Sequence, residues 1–156
     1  MGAMPMTAKF DVSTLNWVKG EIDASLDQAR LALEAFVATP DDATQMGFCV
    51  MHLHQVHGTL QMVELYGAAR VATEMEQLAV ALQERRLTDS EGACEVLMRA
   101  ILQLPDYLEG LQTGLSDNAL VLLPLINEMR RLRGEQVLPE SDFFQPDLSV
   151  MPPAGP

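Results

Sequence analysis

The sequence predicts an all-α protein, an up-and-down helical bundle, and two observations carry that prediction. Apolar residues recur at spacings of three and four through most of the chain, which is the period of helices that bury one face. No segment shows the alternation of a β-strand or the glycine-rich loop of a phosphate-binding fold. We expect about five helices, a four-helix core plus an extra C-terminal helix, followed by an irregular C-terminal tail.

Helix-start and helix-stop residues divide the chain. The first helix is predicted to begin at the N-cap Ser13 and to end at the "TPDD" break, residues 39–42. The second should cover residues 41–66, with Gly67 closing it and the third helix following. The T-x-x-E capping box at residues 88–91 opens the fourth helix, and Ser116 and Asp117 open the fifth, which stops at Gly134. Pro105 and Pro124 should kink or break the fourth and fifth helices.

Composition excludes several classes of protein. The 156 residues carry a formal net charge of −12, which argues against nucleic acid or an anionic membrane surface as a direct partner. No apolar run is long enough to cross a bilayer, and no signal peptide is recognisable, so we expect a cytoplasmic protein. Cys49 and Cys94 form no C-x-x-C pair and lie in apolar helical patterns, which indicates reduced core residues. We interpret residues 1–10 as a cloning remnant and flexible N-terminus, 11–134 as the bundle, and 135–156 as an extended or disordered tail.

The second helix holds all three histidines of the chain, within "HLHQVHGTLQMVELYG". Its core seam is predicted to be Cys49, Leu53, Val56, Leu60 and Val63. A neighbouring stripe lies at the edge of the bundle and becomes polar; its members are Val50, His54, His57, Gln61 and Glu64. His52 lies off this stripe and is predicted to be an ordinary surface residue.

Gly58 is unusual in mid-helix, where glycine costs about 1 kcal/mol relative to alanine. Two interpretations stay open: a close helix–helix crossing that needs a missing side chain, or access for another surface to His54.

His54-x-x-His57-Gly58 resembles the H-x-x-K-G signature of histidine phosphotransfer (HPt) domains. The resemblance implies an HPt-type bundle in which His54 carries a phosphoryl group, with His57, Gly58, Gln61 and Glu64 supporting that group or docking a partner. It also implies that Mg²⁺ and the acidic pocket belong to the partner, so the domain has no turnover, catalytic residue or cofactor of its own.

A longer resemblance covers most of the chain, through "LNWVKGEID", "ARLALEAFV", "HQVHGTLQMVELYGAA", "EMEQLA", "EVLMRAILQLPDYL" and "PDLS". These stretches are similar to the N-terminal HPt-like domain of ChpA/PilL-type hybrid chemotaxis kinases, which govern type IV pili and twitching motility. They are also similar to FimL proteins, which resemble the same domain and lack phosphotransfer histidines. The implied partners are a response-regulator receiver domain, a kinase core and a pilus-regulatory scaffold protein that could recruit the chain to the cell pole.

Two positions depart from the family pattern. His57 stands where the family has lysine, and an imidazole is mostly neutral at cytoplasmic pH. Glu64 replaces a glycine often found ten positions after the phosphorylated histidine, and adds a negative charge on the same stripe. From both changes we expect phosphotransfer to be weaker or absent. The alternatives are therefore a relay through His54, a phosphorylation-incompetent pseudo-HPt module for docking or localisation, or a self-associating scaffold.

Other side chains have simpler interpretations. His54 and His57 are three residues apart, but two ligands make a weak metal site, so we predict no metal. We expect Trp17 to anchor the first helix, with a partner-facing position as the alternative. We expect Glu74, Glu76 and Glu84 to form a solvated face. The methionines at helical spacings are predicted to fill the core; they are Met46, Met51, Met62, Met75, Met98 and Met129.

Overall fold

The computed structural model describes residues 12–143, and all regular secondary structure in that range is helical. The five α-helices are α1 (Val12–Ala38), α2 (Thr44–Met62), α3 (Tyr66–Gln83), α4 (Ser90–Gln112) and α5 (Leu123–Leu132). Short 3₁₀ helices lie at Ala119–Leu122 and Glu140–Phe143. The predicted all-α fold, with a four-helix core and an added C-terminal helix, is confirmed. The predictions for residues 1–10 and for the end of the tail beyond residue 143 fall outside the described residues.

The first four helices form a closed ring in which α1 packs on α2, α2 on α3, α3 on α4, and α4 back on α1. Short connections make sequential helices antiparallel neighbours. The predicted core faces are buried: Leu15, Ile22 and Leu33 on α1, and Leu53 and Leu60 on α2, are at most 1% exposed. Helix α5 packs on α3 and α4, so it covers the side of the bundle formed by those two helices.

The turn between α2 and α3 differs from the prediction. Helix α2 ends at Met62, and Gly67 lies in the first turn of α3 instead of closing α2. Glu64 ends α2 with a φ of 65°, and the amide of Leu65 donates to the carbonyl of Leu60. This left-handed residue with a bond back across the last turn is a common way to terminate a helix.

Asp117 was predicted to open the fifth helix, and it caps α3 instead. Its carboxylate accepts from the amides of Gly67 (2.9 Å) and Ala68 (3.1 Å) at the start of α3. The hydroxyl of Tyr107 donates to the same carboxylate over 2.7 Å. Burial, followed by this hydrogen bond and the charge of Asp117, raises the pKa of Tyr107. Free amides at a helix start attract anions, and here a distant segment supplies the anion.

Three further details concern helices α4 and α5. The N-cap of α4 is Asp89, whose side chain accepts from the amide of Gly92, so the cap lies one residue beyond the predicted Thr88. Pro105 lies inside α4, which continues as one helix to Gln112. Pro124 lies in the first turn of α5. The backbone N–H that proline lacks would have no partner within the helix at this position.

Glu74 was predicted to be solvated, and this prediction is wrong. Its side chain is 4% exposed and pairs with Arg130 (2.9 Å) and Arg133 (2.6 Å) from the end of α5. These two arginines therefore reach across to α3 and do more than complement the dipole of their own helix. Glu84 is exposed, as predicted.

The cysteines and the tail complete the fold. Cys49 is buried and Cys94 is half-buried, and both are free thiols. Burial raises the pKa of Cys49 to about 12. The side chain of Asn127 bonds both backbone groups of Leu138, at 3.0 and 2.7 Å, and so holds the chain after α5 against the bundle. None of the helices within residues 12–143 has the length and hydropathy to cross a membrane.

Candidate functional site

His54 lies on the outside of α2, with the buried seam of the helix beneath it. Its side chain is 70% exposed, while the neighbouring seam residues Leu53 and Val56 are fully buried. The predicted position at the edge of the bundle is therefore the one that the structure has. The imidazole is open to an approaching molecule, and the packed seam fixes the backbone that carries it.

Glu76 on α3 holds the ring of His54. One carboxylate oxygen of Glu76 lies 2.9 Å from Nδ1 of His54. Because a carboxylate can only accept a hydrogen bond, this contact requires a proton on Nδ1, and in the neutral form of the ring the lone pair then lies on Nε2. The side chain of Glu76 is 21% exposed, so the prediction of a solvated face is wrong here as well. Sequence reasoning missed Glu76 as a site residue.

His57 lies on the same side of α2, one turn after His54. Its side chain is 25% exposed, and its Nδ1 lies 3.7 Å from the second carboxylate oxygen of Glu76. The rings of His54 and His57 meet edge to face with centroids 6.2 Å apart. The amide nitrogen of Gln61 lies 3.5 Å from Nε2 of His57, at the outer limit of a hydrogen bond. The structure thus brings His54, His57 and Gln61 together, with Glu76 added from α3.

Gly58 borders open space. A Cβ atom built at Gly58 would meet no atom outside its own helix within 4 Å. A close helix–helix crossing therefore does not explain this glycine. Of the two interpretations offered by the sequence, the one that fits is free access to the surface beside His54.

The two remaining candidate positions, Glu64 and His52, differ from the predictions. Glu64 is exposed, but it lies beyond the end of α2 at a positive φ, so it does not continue the helical stripe of His54. A glycine suits this backbone conformation better than any other residue, which gives a structural reason for a glycine here. His52 is partly buried, and its Nδ1 has no hydrogen-bond partner among the described residues.

An exposed apolar strip runs beside His54. Helix α2 contains no Asp, Glu, Lys or Arg in its 19 residues. Phe48, Met51 and Met62 lie on its outer face with 48%, 46% and 74% of their surface exposed, and Gly58 lies between the two methionines. The prediction that Met51 and Met62 fill the core is therefore wrong, although Met46, Met75 and Met129 are buried.

Trp17 on α1 is also exposed, at 81%, so it does not anchor its helix. A contiguous exposed apolar patch indicates a binding surface, whereas a single exposed side chain such as Trp17 needs no partner to explain it.

These features define a class of protein. A bundle helix presents an exposed imidazole with a free Nε2 lone pair and an oriented Nδ1–H, beside an unobstructed apolar surface. Such a site can accept and pass on an electrophilic group that a second protein brings.

Comparison with known proteins gives the family. The model of the Hpt domain matches residues 13–119, and the chain belongs to this family of phosphotransfer-type signalling modules. It is similar to the "Scaffold protein FimL" of Pseudomonas aeruginosa, with 34% identity over 141 residues. That alignment covers 90% of this chain and 25% of FimL, so the chain spans about a quarter of the length of that relative. No solved structure matches the chain. The recognition of an HPt-like domain similar to FimL is thereby confirmed.

Proposed function

We propose that this domain accepts a phosphoryl group on Nε2 of His54 and transfers it to a receiver domain. The relay would belong to a bacterial His–Asp system of the chemotaxis-like type that controls type IV pili and twitching motility. The single observation that carries the proposal is the His54 ring, 70% exposed, with its Nδ1 held 2.9 Å from Glu76. The pilus assignment rests on the resemblance to ChpA/PilL-type kinases and to FimL.

The chemistry requires a neutral imidazole whose Nε2 attacks the phosphorus of an aspartyl phosphate or of ATP. The P–O bond to the donor breaks as the N–P bond forms, and the leaving oxygen keeps the bonding electrons. Glu76 prepares the ring, because its hydrogen bond to Nδ1 selects the reactive tautomer and stabilises the positive charge that develops on the ring. Mg²⁺ and the acidic pocket come from the partner, so the isolated domain has no turnover.

Docking of the partner would use the apolar strip of α2. Phe48, Met51 and Met62 offer exposed apolar surface next to the reacting ring, and Gly58 adds no side chain that would hold a partner away. The protein carries a net charge of −12, but α2 contributes none of it. This helix can therefore approach the acidic pocket of a receiver without repelling it.

A second candidate function is a docking or localisation module that is not phosphorylated. The 34% identity to a protein described as a scaffold favours it, as does His57 in place of the family lysine. In this case the same apolar strip binds a pilus-regulatory protein, and His54 is an ordinary polar residue at the edge of the bundle.

One experiment separates the two functions. The domain is incubated with the phosphorylated cognate receiver, or with the kinase core and labelled ATP, and the label is followed. Relay predicts label on the wild-type domain and on a His52→Gln control, and none on His54→Gln. If His54→Gln is labelled as strongly as the wild type, the assignment of His54 is wrong. If nothing is labelled while the domain still retains pilus-system proteins, the docking function replaces the relay.

A further inference from the structure

The structure gives His54 and His57 of α2 a third metal ligand that sequence spacing did not show. One ligand atom each from His54, His57 and Glu76 lies within 4.8 Å of the others. The sequence alone argued against a metal because two histidines make a weak site. Glu76 comes from the neighbouring helix and completes a set of two imidazoles and one carboxylate.

We propose that His54, His57 and Glu76 bind Zn²⁺ or a similar divalent transition metal ion. Two imidazole nitrogens and one carboxylate oxygen are a ligand set that holds zinc with the fourth position open. Metal–ligand bonds of ~2.0–2.1 Å in a tetrahedron place the ligand atoms about 3.3 Å apart. The carboxylate of Glu76 already lies at comparable distances from both rings, with one oxygen 2.9 Å from Nδ1 of His54 and the other oxygen 3.7 Å from Nδ1 of His57.

The required adjustment is small and falls on mobile groups. The widest separation within the cluster, 4.8 Å at most, must shorten by rotation of a histidine ring. His54 is 70% exposed, so its ring can turn without disturbing the core, and water can reach the metal as a fourth ligand. Helices α2 and α3, which carry the three ligands, pack directly on each other, so rotation of side chains is the adjustment that the site requires.

The charge distribution also favours a cation at this place. Helix α2 carries no Lys or Arg, and the family lysine, which would repel a metal ion, is replaced by His57, which ligates one. The carboxylate of Glu76 supplies a negative charge between the two rings. Histidine in place of the family lysine is therefore less suited to support a phosphoryl group and better suited to bind a metal ion.

Metal binding and phosphorylation would exclude each other, and this consequence rests on the proposed function. Ligation through Nδ1 of His54 requires the ring proton to move to Nε2. Nε2 then has no lone pair with which to attack phosphorus. A bound metal ion would thus keep the domain in an unphosphorylated state.

The metal site itself is tested without any phosphoryl donor. Zn²⁺ is titrated into the purified chain by isothermal calorimetry, and Co²⁺ is added separately because a tetrahedral site gives a strong visible absorption. We expect one metal ion per chain. The variants His54→Gln, His57→Gln and Glu76→Gln should each weaken binding by at least about tenfold. The controls His52→Gln and Cys94→Ser should bind like the wild type.

The outcomes are distinct. Loss of binding in the three ligand variants with normal binding in both controls supports the site, whatever the phosphorylation assay shows. Wild-type binding in the ligand variants would mean that zinc binds elsewhere, and absence of binding in the wild type would mean that the cluster does not hold a metal. Either result overturns the inference and leaves the His54 relay to be judged by its own assay. Circular dichroism of each variant checks that the helices are intact.

Discussion

Replacing Gly58 by alanine should stabilise the domain and impair its function at the same time. The added Cβ meets no atom outside its own helix within 4 Å, so the substitution removes the cost of a mid-helix glycine and adds no clash. We expect the free energy of unfolding to rise by about 1 kcal/mol and Tm to rise by about 2–4 °C. The same methyl group enters the space beside His54 that a partner would occupy. Overpacking of this kind costs about 1–3 kcal/mol, so phosphoryl transfer should fall by about fivefold or more.

Gly20 provides the matched control. It also lies in mid-helix, on α1, is exposed, and has no atom within 4 Å of a built Cβ. Gly20→Ala should therefore give the same rise in urea midpoint without a change in transfer rate. The assays are urea unfolding followed by circular dichroism, and label transfer at a receiver concentration below saturation. If Gly58→Ala is stabilised and transfers as fast as Gly20→Ala, the open space beside His54 is not a docking surface and the reasoning fails.

Three further predictions concern stability. Glu74→Gln should lower the free energy of unfolding by about 3 kcal/mol, because it leaves two arginines without their buried partner. The exposed control Glu84→Gln should change it by less than about 0.5 kcal/mol, and equal urea midpoints for the two variants would contradict this prediction. Glu64→Gly should raise the free energy of unfolding by about 1 kcal/mol, since a φ of 65° strains a residue that has a side chain, and a lower midpoint would show that the glutamate makes a compensating contact. Burial raises the pKa of Cys49 from 9.0 to about 12, so the thiol stabilises the fold below pH 9 and that contribution is lost as the pH rises from 9 towards 12. The free energy of unfolding of the wild type should fall over pH 9–10 more steeply than that of Cys49→Ala, by up to about 1.4 kcal/mol per pH unit. Parallel curves of unfolding free energy against pH would show that the pKa of the Cys49 thiol is not raised.

The helices and their buried faces could be predicted from sequence because both depend on local periodicity. The seams of α1 and α2 were correct because a residue that recurs every three or four positions must face the same side of its helix. The position of His54 at the edge of the bundle followed from the same rule. These properties need no knowledge of the neighbouring helix.

Contacts between helices were missed because they depend on where a turn lies. His54 and Glu76 are equidistant in sequence from Leu65, the last residue of the turn between α2 and α3, and antiparallel helices place such residues side by side. The predicted helix end at Tyr66, with a stop at Gly67, lies about one helical turn beyond the observed end at Met62, and this error concealed the pairing. The error arose because glycine is the usual signal for a helix end, and here a glutamate takes the left-handed position.

Long-range polar pairs were beyond sequence reasoning for a related reason. Glu74, Arg130 and Arg133 each look like solvent-facing residues when their own helices are considered alone. Only the packing of α5 on α3 reveals that they neutralise one another. The same holds for Asp117, which resembles a local helix cap and serves a helix that begins far earlier in the chain.

The buried carboxylate of Glu74 also sets the smallest fragment that is worth expressing. The match to the Hpt family stops at residue 119, before the two guanidinium groups that neutralise this carboxylate. A chain trimmed to that boundary would lack both counter-ions of Glu74 and would uncover the sides of α3 and α4 on which α5 packs. A fragment that keeps these contacts extends past Arg133 to Leu138, whose backbone groups bond the side chain of Asn127.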